Sequence, residues 1–108
     1  MAAVTCLNAT NYLEYMKGSG VKVLRFWATW CPPCRALGPI YDELAKEMSE
    51  TAAFADIDID KAPSLASIYG IRSVPTVVIV KEGKVRDQIV GVASKGRYID
   101  SVKKLAGQ

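Results

Sequence analysis

Val21-Lys22-Val23-Leu24-Arg25-Phe26-Trp27-Ala28-Thr29-Trp30-Cys31-Pro32-Pro33-Cys34-Arg35 is the stretch on which the fold turns. Its opening, Val21–Trp27, is β-branched and aromatic with Lys22 and Arg25 as its charges, and reads as a buried strand. Beyond Trp30 the period changes. Leu37, Ile40, Tyr41, Leu44, Ala45 and Met48 recur mostly at helical spacings, which predicts a helix opening at the cysteines. Pro39 falls inside it and is expected to kink it, because proline lacks a backbone donor and crowds the preceding turn.

A C-x-x-C pair where a strand becomes a helix points to redox chemistry. With Cys31 at the N-cap and Cys34 three residues on, both sulfurs lie at the helix start, close enough to bridge. Unpaired amides and the positive end of the helix dipole favour a thiolate on Cys31. Pro33 suits a first turn, where no intrahelical donor is needed. Cys31 is expected to face solvent beside Trp30 and to attack a disulfide. Cys34, further inside, is expected to resolve the mixed disulfide. A zinc site would need about four ligands. The chain has three cysteines and no histidine, so no metal is expected. The missing histidine also excludes Ser-His-Asp and Cys-His nucleophilic sites.

Working outward, Val4–Leu7 reads as a short strand and Asn11–Lys17 as a short helix ended by Gly18-Ser19-Gly20. Ala52–Ile59 is a second buried strand, with acids at Asp56 and Asp58 and Asp60 just beyond. Ala62–Tyr69 is a helix stopped at Gly70. Thr76–Lys81 and Val85–Val90 are strands joined by Glu82-Gly83-Lys84, a tight hairpin. Ser94 is placed to cap a last helix through Leu105, with Tyr98, Ile99, Val102 and Leu105 inward. The order β-α-β-α-β-α-β-β-α implies an α/β protein with one mixed sheet covered on both faces.

The 108 residues suit one domain, half of them are hydrophobic, and the net charge is +3. Lysines and arginines are scattered among acids, so neither nucleic acid nor a membrane surface is an expected partner. No apolar run approaches the roughly 20 residues that span a bilayer. The first residues lack a basic leader followed by an apolar stretch, which gives the expectation of a soluble, cytoplasmic protein. An odd cysteine count there argues against a structural disulfide framework. Cys6 is expected to be a buried strand residue, the alternative being an exposed thiol that pairs between molecules.

Three segments carry a family resemblance. Phe26-Trp27-Ala28-Thr29-Trp30-Cys31-Pro32-Pro33-Cys34-Arg35 resembles the thioredoxin active-site segment. Tyr69-Gly70-Ile71-Arg72-Ser73-Val74-Pro75-Thr76 resembles the family's proline loop, and Val90-Gly91-Val92-Ala93-Ser94-Lys95 its third active-site loop. The likeness runs from about Val4 to Leu105. It implies a single thioredoxin domain over residues 1–108, with a central mixed five-stranded sheet flanked by four helices. It further implies a protein-disulfide reductase, and a cis Pro75 facing the cysteines. Trp30, Val74, Pro75 and Gly91 would form the substrate surface, with Trp27 packed beneath the site. The implied partners are disulfide-containing proteins and a thioredoxin reductase, for a monomer without cofactor beyond the Cys31–Cys34 disulfide.

Two departures from the family pattern matter. Pro32 stands where the family has glycine, which removes a backbone donor near Cys31 and stiffens the loop; Pro32 and Pro33 together would tune the thiol–disulfide balance. Arg25 stands where thioredoxins carry a buried aspartate that accepts a proton during resolution, and a guanidinium cannot act as a base. The family position that often faces that aspartate, commonly a lysine, is Asp56 here. A charge-reversed pair of Arg25 with Asp56 is therefore expected, since stranding a buried arginine costs several kcal/mol. Asp56 becomes the candidate proton acceptor for Cys34. The competing readings are a cell-envelope thiol reductant, an oxidase- or isomerase-like variant, and a binding subunit whose redox activity is dispensable.

Overall fold

The chain's structure, a computed structural model, describes residues 3–107. Among these the elements run β1 (Val4–Leu7), α1 (Tyr12–Met16), β2 (Val21–Trp27), α2 (Pro32–Glu47), β3 (Ala52–Asp58), α3 (Pro63–Ile68), β4 (Thr76–Lys81), β5 (Lys84–Val90) and α4 (Lys95–Ala106). The expected order is reproduced, with element ends moved by a residue or two. The strands form one five-stranded sheet in the order β1-β3-β2-β4-β5. β3 pairs in parallel with both β1 and β2, while β2 with β4 and β4 with β5 are antiparallel. This is the mixed sheet that crossover helices followed by a hairpin require.

Strand residues alternate between the two faces. Val21 and Val23 pack with Phe54, Val77 and Ile79 on one face, beneath Leu37, Tyr41 and Leu44 of α2 and Tyr98 and Val102 of α4. Leu24 and Phe26 pack with Ile57, Val78 and Val80 on the other, around Leu65 of α3. Arg25 shares the strand parity of Val21 and Val23, and so faces α2. The buried Tyr41 hydroxyl lies 2.7 Å from the Ala55 carbonyl and 3.0 Å from the Val23 carbonyl, so α2 is tied to β2 and β3 by a satisfied polar group.

Local signals explain the joins. Cys31 occupies the N-cap of α2 with prolines in the first turn, and the helix runs unbroken through Pro39. Glu82 and Gly83, with φ of 54° and 78°, make a two-residue turn of the type that matches strand twist. Lys84 already pairs with Lys81, so it belongs to β5 and not to the turn. The Ser94 hydroxyl accepts the Arg97 N–H at 3.3 Å and caps α4.

One expectation fails here. Cys6 is exposed, not buried. β1 is an outer strand that hydrogen-bonds to β3 on one side, and of its four residues Leu7 alone is buried. A short apolar run does not distinguish an edge strand from a central one.

Candidate functional site: a dithiol at a helix start

β2 ends at Trp27, and the chain turns so that the Cys31 N–H donates to the Ala28 carbonyl at 3.2 Å. This sets Cys31 at the N-cap, where its Sγ accepts the Cys34 N–H at 3.3 Å. A thiolate there would receive an amide that the helix itself leaves unpaired. Both sulfurs are free thiols. Cys34 is wholly buried, and its thiol is pushed up to about 11, first by burial and then by the hydrogen bond it shares with Cys31.

Cys31 does not face open solvent as expected; it is 4% exposed. The cover comes from far along the chain. Val74, Trp27 and Ile59 pack around the Ala28–Cys31–Cys34 cluster, and the Cys31 thiol donates to the Val74 carbonyl at 3.6 Å. Cys31 nevertheless keeps an opening that Cys34, at 0%, lacks.

The Val74–Pro75 bond is cis. Pro75 is followed by β4, and its carbonyl accepts the Gly91 N–H at 2.8 Å, which brings the end of β5 beside the proline loop. Gly91 has a φ of 81°, a conformation in which a side chain would be strained. Trp30 projects into solvent at 63% exposure, held by an indole N–H bond to the Asp60 carboxylate at 2.8 Å. Between Trp30 and Val74 lies a groove of about 130 Å³, with Ile59 and Ile71 in its walls and Arg72 and Ser73 at its margin. The structure thus brings Trp30, Val74, Pro75 and Gly91 toward the cysteines, with Pro32 and Pro33 exposed on the helix start.

Behind Cys34 lies the Arg25–Asp56 pair. The two residues are direct partners in the β2–β3 register. Arg25 Nε donates to Asp56 Oδ1 at 2.8 Å and Nη2 to Oδ2 at 2.9 Å, while Nη1 donates to the Cys34 carbonyl at 2.9 Å. The guanidinium carbon sits 5.1 Å from the Trp27 ring and 5.2 Å from the Tyr41 ring. Both are cation–π distances. Burial works against the charge, but the hydrogen bond and charge of Asp56 outweigh it and hold Arg25 more firmly protonated than usual. Asp56 also borders a cleft of about 250 Å³ lined by Cys6, Leu7, Asn8, Trp27, Asp58 and Lys61. The aromatic pair around Arg25 and the Trp30–Asp60 bond were not anticipated. Trp27, two residues beyond Arg25 on the same strand face, was a readable signal; Tyr41 and Asp60 are brought in by tertiary folding.

A five-stranded mixed sheet with a dithiol at the start of its long crossover helix defines a class: the thiol–disulfide oxidoreductase domains. The thioredoxin family profile matches residues 3–104, and this chain belongs to the thioredoxin family. It is 40% identical over 99 residues to the chloroplastic M-type thioredoxin of Spinacia oleracea, covering 91% of this chain and 55% of that protein. It is 45% identical over 82 residues to thioredoxin 2 of Chlorobaculum tepidum, covering 76% of this chain and 75% of the relative. Among solved structures, the thioredoxin of Malassezia sympodialis superposes with a TM-score of 0.87 at 28% identity, covering 98% of this chain and 93% of that one.

These relatives correct the expectation of a cytoplasmic protein. The relatives from Spinacia oleracea, Pisum sativum, Chlamydomonas reinhardtii and Zea mays are chloroplastic M-type thioredoxins.

Proposed function

We propose that the chain reduces protein disulfides by dithiol–disulfide exchange through Cys31 and Cys34. Cys31 attacks one sulfur of a client disulfide, and the other client sulfur leaves as a thiolate. Cys34 then attacks Cys31, the mixed disulfide breaks, and the client departs reduced while this chain carries the Cys31–Cys34 disulfide. A thioredoxin reductase restores the dithiol. The observation that carries this reading is the Cys34 N–H lying 3.3 Å from a Cys31 Sγ that keeps a slight opening while Cys34 has none. That asymmetry supports Cys31 as nucleophile and Cys34 as resolving thiol.

Clients dock on Trp30, Val74, Pro75 and Gly91, with the backbone at Val74 pairing to an extended segment. Docking must displace the Cys31–Val74 contact, which frees the thiol at the moment a client arrives. Asp56 accepts the Cys34 proton through water and Arg25 is its charge partner, in place of the family's buried aspartate. Pro32, where the family has glycine, and Pro33 tune the balance between dithiol and disulfide.

Insulin reduction with dithiothreitol as electron donor tests the reading. The wild-type chain is expected to accelerate insulin precipitation, and Cys31→Ser to abolish the acceleration. A wild-type chain no faster than dithiothreitol alone would overturn the reductase assignment and favour a binding role.

A further inference from the structure

We propose that Arg25 is a positioning residue for the resolving step, its fixed positive charge offsetting the burial that opposes ionisation of Cys34. The inference rests on the disulfide-exchange reading above and concerns its second half. A client on the Trp30–Val74–Pro75–Gly91 surface covers the front of the site, and Cys34 has no exposure of its own. The charge that develops on Cys34 must therefore be stabilised from within the protein.

The geometry supplies a cation there and prevents it from moving. Arg25 is 5% exposed, bonded through Nε and Nη2 to Asp56, and flanked by the Trp27 and Tyr41 rings. Its Nη1 reaches the carbonyl of Cys34 itself, so the charge is anchored to the residue on which it acts.

The groups facing Cys34 come from each neighbouring element. Cys31 shares a hydrogen bond with it at the start of α2, the Ala28 backbone bonds it from the β2–α2 turn, and Arg25 approaches from β2. Asp56 of β3 and Tyr41 of α2 act on the guanidinium from its far sides. Asp58 and Lys61 border Asp56 across the cleft. The Ala28 hydrogen bond, and after it the charge of Arg25, oppose the upward pull of burial and Cys31. In the step itself the Cys34 thiol gives its proton through water to Asp56. The thiolate's electron pair forms the bond to Cys31, and the client sulfur leaves with the pair from the broken bond. Arg25 exchanges no proton and contributes through charge alone.

A single-turnover experiment separates this from the parent reading. A bis-nitrobenzoate disulfide reagent, mixed with the reduced chain in a Cys6→Ser background, releases one coloured thiolate when Cys31 attacks. It releases a second when Cys34 resolves. The first release tests the exchange reading and is expected in every variant; its absence would sink that reading and not this one. The rate of the second release is followed against pH. Arg25→Met combined with Asp56→Leu, which strands no charge, is expected to have its midpoint about one pH unit or more above that of Asp56→Asn, which lacks the Asp56 acceptor equally but keeps the cation. Arg25→Lys is expected to keep the midpoint near that of wild type, because the charge survives. A neutral pair whose profile superimposes on that of Asp56→Asn would overturn the proposal. Should the neutral pair fail to fold, Arg25→Gln, which leaves the Asp56 acceptor in place, is compared with wild type, and its midpoint is expected to rise; an unmoved or lowered midpoint would overturn the proposal equally.

Discussion

Arg25 and Asp56 face one another across the β2–β3 pairing and meet in a two-pronged ion pair, at 2.8 and 2.9 Å. Their side chains are 7% and 15% exposed, so neither charge is solvated well enough to stand alone. The strand register places them opposite one another, and the period of two turns both toward α2 and the resolving cysteine. One pairing therefore serves the sheet and the site together.

The pair makes its own stability prediction. Arg25→Ala leaves the Asp56 carboxylate without its partner and is expected to lower unfolding free energy by about 3 kcal/mol. The double variant Arg25→Met with Asp56→Leu removes both charges and is expected to lose much less. Urea unfolding of the reduced protein measures both; equal losses would show that packing, not charge pairing, dominates.

The Cys34 thiol, pushed up to about 11 from an ordinary 9.0, gives a stability term with a definite sign. Below pH 9 the thiol is protonated in both folded and unfolded chains and contributes nothing. Between about 9 and 11 the unfolded chain releases this proton first, so the reduced protein is expected to lose stability as pH rises, by up to ~1.4 kcal/mol per pH unit from this group. Comparing wild type with Cys34→Ser across this window isolates it. Parallel stability curves for the two would show the thiol's burial to be without effect.

Cys6 is exposed while Cys34 is wholly buried. Brief treatment of the folded, reduced chain with iodoacetamide at neutral pH is expected to label Cys6 and spare Cys34. Insulin reduction by Cys6→Ser is expected to match wild type. Peptide mapping by mass spectrometry reads the first, and substantial labelling of Cys34 would contradict the packing around the site.

What the residues disclosed and what they withheld divides along physical lines. The β2–α2 junction was readable because the change from strand-like to helical period falls at Cys31 and Cys34, and both signals are local. The Arg25–Asp56 pair was readable through the family resemblance, which sets the two residues at facing positions, and because a buried arginine needs a partner. Cys6 was misread because strand burial depends on position in the sheet, which a four-residue run does not encode. The shelter over Cys31 was missed because its cover, Val74, is 43 residues away in sequence. Trp30 and Asp60 likewise meet only through tertiary folding.

The central claim, that Cys31 forms a mixed disulfide with a client while Cys34 finishes the reaction, is tested most directly by arresting the cycle halfway. Cys34→Ser, reduced and then mixed with a disulfide-containing protein, is expected to accumulate a one-to-one covalent complex joined at Cys31 and released by dithiothreitol. Failure to form that complex, or a complex mapped to Cys6 with Cys31 still free, would contradict the account.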